Sequence, residues 1–181
     1  MPEAEVSLRL AEWLLREGLA RGPVEVAIDG SQIQTSGTVH FELGQYLRAA
    51  GWTNTAPSDS WQGTYYRAAV PGQIRIHSNP GKGDVVTRLA SGKILRAECK
   101  KGPLHRTKGS REYALLREAL GQLLTVNEVE QLDLLAVAVP ASEKFAELAA
   151  RWRTAPLVKR LGIRILLVSR TGGVDGFVGT Q

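Results

Sequence analysis

The chain has 181 residues, 43% of them hydrophobic, with a formal net charge of +5 at neutral pH and a pI near 9.6. That length favours one domain with an ordinary core. No apolar run is long enough to span a bilayer, and the opening Met-Pro-Glu-Ala-Glu lacks the basic and apolar parts of a secretory signal. A single cysteine excludes an internal disulfide and a multi-cysteine zinc site, so a reducing, cytoplasmic setting is expected. The basic balance suits a polyanionic partner as well as it suits an ordinary basic surface.

Residues 3–19 are predicted to form a helix, with Val6, Leu10, Trp13 and Leu14 on one face and Gly18, Gly22 and Pro23 closing it. Residues 24–28 and 31–34 alternate around Asp29-Gly30, which predicts a hairpin. Residues 1–37 therefore read as a helix-plus-hairpin extension, and residues 38–181 as the core of what is expected to be one compact unit. A second helix is expected over 39–50, with Leu43, Tyr46, Leu47 and Ala50 inward, then a polar loop over 53–63. Strands over 64–70 and 73–77 are expected to flank a turn at Pro71-Gly72.

The turn at 79–83 leads to the most informative stretch. Asp84 opens an apolar run to Leu89; residues 90–93 signal a turn; a second run from Ile94 closes at Glu98-Cys99-Lys100. In a strand, residues two apart share a face, so Glu98 and Lys100 point together and Cys99 points into the core. With Asp84 in suitable register on the neighbouring strand, two carboxylates and an ammonium meet, a donor set suited to a hard divalent cation beside a positioned water. The aperiodic, basic residues 101–110 follow, then a helix over 111–125, a strand over 131–139, a Ser142-capped helix over 143–153, a strand over 163–168 and a short tail strand near 174–178. The order predicts an α/β fold with a mixed sheet and helices on both faces.

Gly83-Asp84, Glu98-x-Lys100 and the helix, strand meander, helix, strand order resemble the PD-(D/E)XK nuclease superfamily, the restriction-endonuclease-like fold. The resemblance is placed over residues 39–168; Gly83 stands where the family motif has proline. It implies a Mg²⁺- or Mn²⁺-dependent nuclease, endo- or exonucleolytic, that hydrolyses phosphodiester bonds in nucleic acid, DNA favoured over RNA. It further implies metal ligands at Asp84, Glu98 and the Cys99 backbone carbonyl, with Lys100 holding water or stabilising charge. The acidic residue that relatives often carry on the preceding helix falls on Glu42. Gln122 matches a glutamine that RecB-like relatives place near the site, although Val126 stands where those relatives have tyrosine. A homodimer is compatible with the resemblance; Holliday-junction-resolvase-like and RecB-like branches both remain open.

Taken singly, each residue has an ordinary reading: a solvated turn aspartate, a strand glutamate paired with Arg75, Lys82 or Arg88, a surface lysine. Lys101, His105, Arg106, Lys108 and Arg111 are placed to meet a phosphate backbone. Trp61, Tyr65 and Tyr66 are stacking candidates that more often pack internally. His40 and His77 have no metal-like pairing. The competing functional readings are a catalytically inactive nucleic-acid-binding module on the same fold, and a protein-interaction module docking through the N-terminal helix around Trp13.

Overall fold

Val6, Leu10 and Leu14 recur at four-residue spacing and are fully buried along one face of α1 (Glu3–Arg16), whose first turn carries Glu3 and Glu5. The computed structural model describes residues 1–56, 60–105 and 111–177. After α1 come β1 (Val24–Ala27), the one-turn helix α2 (Gly30–Ile33), β2 (Gln34–Thr35), β3 (Thr38–Val39) and α3 (Leu43–Ala49). Then follow β4 (Thr53–Asn54), β5 (Gly63–Arg67), β6 (Val70–His77), β7 (Val85–Arg88) and β8 (Ile94–Cys99). The chain ends with α4 (Glu112–Leu123), β9 (Leu134–Pro140), α5 (Glu143–Arg153), α6 (Pro156–Arg160), β10 (Arg164–Val168) and β11 (Val174–Asp175).

Nine strands form one mixed sheet in the order β11-β10-β9-β8-β7-β1-β6-β5-β4. β8, β9 and β10 are parallel, joined by α4 and by α5 with α6; β7 is antiparallel to both β1 and β8. Helices cover both faces. Leu95, Ala97, Cys99, Ala136, Ala138, Leu166 and Val168 share a core with α1. Val137, Val139, Ile165 and Leu167 pack with Leu116, Ala119 and Leu123 of α4 and Phe145, Leu148 and Ala149 of α5. This alternation is the period of two that a sheet covered on both sides requires. The α/β class with a mixed, helix-flanked sheet is as the sequence predicts.

Three local expectations are corrected. The Asp29-Gly30 hairpin does not form. β1 is paired on both sides, parallel to β6 and antiparallel to β7, which leaves no ladder for a returning strand. The Asp29 side chain instead accepts from Ser31 N–H at 2.8 Å and caps α2. The first residues thus supply a central strand rather than an appended hairpin. The helix expected from residue 39 begins at Leu43, because residues 34–35 and 38–39 pair around Ser36 and Gly37, both at positive φ. The turn expected at Pro71-Gly72 lies three residues earlier, at Ala68-Ala69, and β6 runs through both Pro71 and Gly72. β1 reaches only as far as Ile74, so Pro71 stands where β6 has one neighbour and its missing N–H costs no ladder bond there.

Candidate active site

β7 and β8 form the predicted hairpin, with Val85 opposite Ala97 and Arg88 opposite Ile94. Asp84 lies just before the paired part of β7. Gly83 before it has φ 105°, and a Cβ there would sit 3.4 Å from the Ala97 carbonyl oxygen, so the chain turns into Asp84 close over the β8 backbone. Asp84 Oδ2 accepts from the Cys99 N–H at 2.8 Å. The N–H and C=O of one strand residue point to the same side, so the Cys99 carbonyl also lies on Asp84's side, beyond the last β7 pair. Its thiol is fully buried against α1, and burial pushes its pKa well up.

Asp84, Glu98 and Lys100 line one cleft of about 490 Å³, together with Glu3, Gln32, Gln122 and Val126. Glu98 and Lys100 are only 9% and 5% exposed. Burial pushes the Asp84 carboxyl up to about 6, offset in part by the Cys99 N–H. Burial and the facing Asp84 push Glu98 up to about 8, and the two carboxyls are hydrogen-bonded to each other. Two carboxyls sharing one site favour a shared proton over two adjacent negative charges. Burial alone would lower the Lys100 pKa, but Glu3, Asp84 and Glu118 outweigh it and raise it. Lys100 is therefore a firm ammonium cation. Its Nζ donates to Glu3 Oε1 at 3.1 Å and lies 3.5 Å from Glu118 Oε1.

The ordinary partners expected for a strand glutamate are engaged elsewhere. Arg75 pairs with Glu25, Lys82 with Glu128, and Arg88 donates to the Gly92 carbonyl. Glu42 is corrected: it is exposed at the N-terminus of α3 and lines neither this cleft nor its neighbour. The helix carboxylate that reaches the site is Glu3 of α1. Besides Lys100, it accepts from Gln32 Nε2 at 3.0 Å and from the Lys101 N–H at 3.4 Å. Neither Glu3 nor Glu118 is among the residues the sequence points to: Glu3 lies in the expected N-terminal extension, and Glu118 lies one helical turn before Gln122, a spacing that could have found it. Gln122 itself is exposed and borders the cleft.

Of the basic residues, Lys101, His105 and Arg111 are exposed, and Arg106 and Lys108 lie outside the described residues. Lys101 and Arg111 line a second recess, of about 760 Å³, which shares Glu3 and Gln32 with the cleft. Among the aromatic candidates, Tyr65 is buried and donates to the Trp61 carbonyl at 2.8 Å, and Trp61 packs on the core; Tyr66 is exposed.

As a place for a divalent cation, the site offers the buried Glu98 and half-buried Asp84 carboxyls, which repel one another when ionised, and a carbonyl on the same side. Among the described residues, no group of three or more His, Cys, Asp or Glu is arranged to hold a metal. A small set still fits Mg²⁺, which binds through one or two carboxylates and keeps several waters. Among the described residues, no helix is long and apolar enough to cross a membrane. No family model, curated protein or solved structure matches the chain.

Proposed function

We propose that the protein is a divalent-metal-dependent phosphodiesterase acting on nucleic acid, DNA before RNA, on a restriction-endonuclease-like core. The observation that carries this reading is the convergence of Asp84, Glu98 and Lys100 on one cleft, with Glu3 bonded to the lysine. The element order supports it once the core is redrawn. α1, the antiparallel run β1-β7-β8, α4 and then β9 parallel to β8 make a helix, meander, helix, strand unit. Residues 28–83 then become an insertion that widens the sheet, and the helix acid of the resemblance is Glu3 rather than Glu42.

Asp84, Glu98 and the Cys99 carbonyl would hold Mg²⁺ or Mn²⁺, which supplies polarisation of a phosphoryl oxygen and a more acidic water. The residues' own chemistry follows from their charge states. At neutral pH the Asp84–Glu98 pair retains a proton, so binding a cation there releases it. Lys100 is too firmly protonated to act as a base. It donates hydrogen bonds, orienting a water or stabilising charge that develops on the phosphate. Glu3 and Glu118 hold its ammonium in place.

A second reading, an inactive nucleic-acid-binding module, is favoured by the same contacts: Lys100 is already engaged by two carboxylates. One experiment separates the two. The protein is incubated with Mn²⁺ and linear, circular, single-stranded, branched and RNA substrates, with Asp84→Ala and Lys100→Ala as controls. The nuclease reading expects cleavage that both substitutions abolish. Cleavage retained by both variants, or unchanged binding without cleavage in either metal or chelator, would overturn it.

A further inference from the structure

The recess beside the cleft is not explained by phosphodiester chemistry alone. Its walls include Pro103 and Leu115, which are apolar; Gln32 and His40 contribute an amide and an imidazole; Lys101 and Arg111 are exposed cations at its border. Its volume of about 760 Å³ lies within the roughly 300–1,000 Å³ typical of small-molecule sites.

The recess and the cleft adjoin. Glu3 and Gln32 line both, and α4 runs along both. Arg111 and Leu115 border the recess, Glu118 approaches Lys100, and Gln122 and Val126 border the cleft. Arg111, Leu115, Glu118 and Gln122 are spaced four, three and four residues apart, a single helical stripe flanking the buried stripe of Leu116, Ala119 and Leu123, and Val126 follows just past the helix end. From Arg111 to Gln122 this stripe covers about 16 Å at the helical rise.

We propose that the recess is a nucleobase subsite and that the substrate enters it as a single-stranded segment. This rests on the phosphodiesterase reading only for the identity of the cleft beside it. The argument is one of charge and polarity. A continuous duplex presents an outer surface of phosphates and would use only Lys101 and Arg111. An unpaired nucleotide uses every feature. Its base buries against Pro103 and Leu115, its edge faces the Gln32 amide and the His40 imidazole, and its flanking phosphates meet the two cations on the way to Lys100.

The test reads binding in chelator at low salt, so it does not depend on cleavage. A fluorescent single-stranded oligothymidylate is titrated against an oligonucleotide of equal length made of abasic sites, which keeps the phosphates and removes the bases. The proposal expects the bases to strengthen binding at least about fivefold. Leu115→Trp fills the recess and should bring that ratio to near one. Lys101→Ala and Arg111→Ala, both at exposed positions, should weaken the two ligands equally and preserve the ratio. Those two variants keep the test informative if Leu115→Trp does not fold. Equal affinity for the two ligands in the unaltered protein, or a folded Leu115→Trp protein with an unchanged ratio, would overturn the subsite. Base-dependent binding with no Mn²⁺ cleavage would uphold the subsite and refute the phosphodiesterase. Cleavage with no base dependence would do the reverse.

Discussion

Two charged clusters lie on the same face of β8, two residues apart, and they are built in opposite ways. Arg96 is 7% exposed. It donates from Nε to Asp133 Oδ2 at 2.8 Å and from Nη1 to the Lys82 carbonyl at 3.4 Å, while the same Asp133 oxygen accepts from the Glu130 N–H. One cation meets one anion, and a main-chain group bonds to each. At Glu98 and Lys100 the count is unbalanced: Asp84, Glu98, Glu3 and Glu118 surround one ammonium, and the group faces a cleft. Burial is similar, so burial does not distinguish them. Closure does. The first cluster is balanced in charge, whereas the second carries more carboxyls than its one ammonium can neutralise when they ionise.

The largest expected effect tests the open cluster. Lys100→Ala should reduce Mn²⁺-dependent cleavage by roughly a thousandfold, a loss of about 4 kcal/mol in barrier lowering. Circular dichroism should show the fold intact. A variant that cleaves normally breaks the contrast at its functional end.

The closed cluster should fail in the other way. Asp133→Ala leaves Arg96 buried without its counter-charge, and removing one member of a buried pair costs about 3–5 kcal/mol. Urea unfolding should show that loss. Cleavage measured below the new unfolding transition should remain within a few-fold of normal, since Asp133 does not line the cleft.

A subtler difference is the pH dependence of stability in chelator. Asp84 is raised from an ordinary 3.8 to about 6, and Glu98 from 4.5 to about 8. The folded protein thus binds these protons more tightly than the unfolded chain, and stability falls as pH rises. Their contribution is complete below about pH 4 and lost by about pH 8. Melting temperature should therefore decline across that window, and Glu98→Gln should shorten the decline at its alkaline end. Mn²⁺ should raise the melting temperature more at pH 8 than at pH 5, because it binds the ionised carboxylates. A flat profile, or equal stabilisation at both pH values, would show the cluster to be as closed as Arg96–Asp133.

What was legible in the sequence follows contact range. The β7–β8 hairpin is local: alternation, a turn at 90–93 and the spacing of Asp84, Glu98 and Lys100 are all readable within 17 positions. Glu3 meets Lys100 across 97 positions, through a sheet order in which β1 enters between β6 and β7, and no local pattern announces that. Asp29-Gly30 misled for the same reason. A dipeptide that favours a hairpin turn also caps a helix, and the two partners already flanking β1 decide between them. Glu42 has a claim on the site only where the strands after α3 open the meander, and β4, β5 and β6 instead form the outer edge of the sheet.

That rival claim gives the smallest and most discriminating prediction. Glu3 and Glu42 are both helix-start carboxylates, and a sequence pattern alone gives either a claim on the site. Glu3→Gln keeps the shape and removes the charge that holds Lys100, while the amide oxygen still accepts one hydrogen bond. Cleavage should fall roughly tenfold, the usual scale of losing one charge-assisted bond. Glu42→Gln alters an exposed side chain with no capping bond and no place in the cleft. It should leave cleavage unchanged and stability within about 0.5 kcal/mol. The pair is informative as a difference. If Glu42→Gln were the damaging change, the core would run from α3 rather than α1, and residues 28–83 would not be an insertion. If Glu3→Gln alone is damaging, the central position of β1 is what completes the site. The open cluster on β8 then owes its lysine geometry to the N-terminal helix.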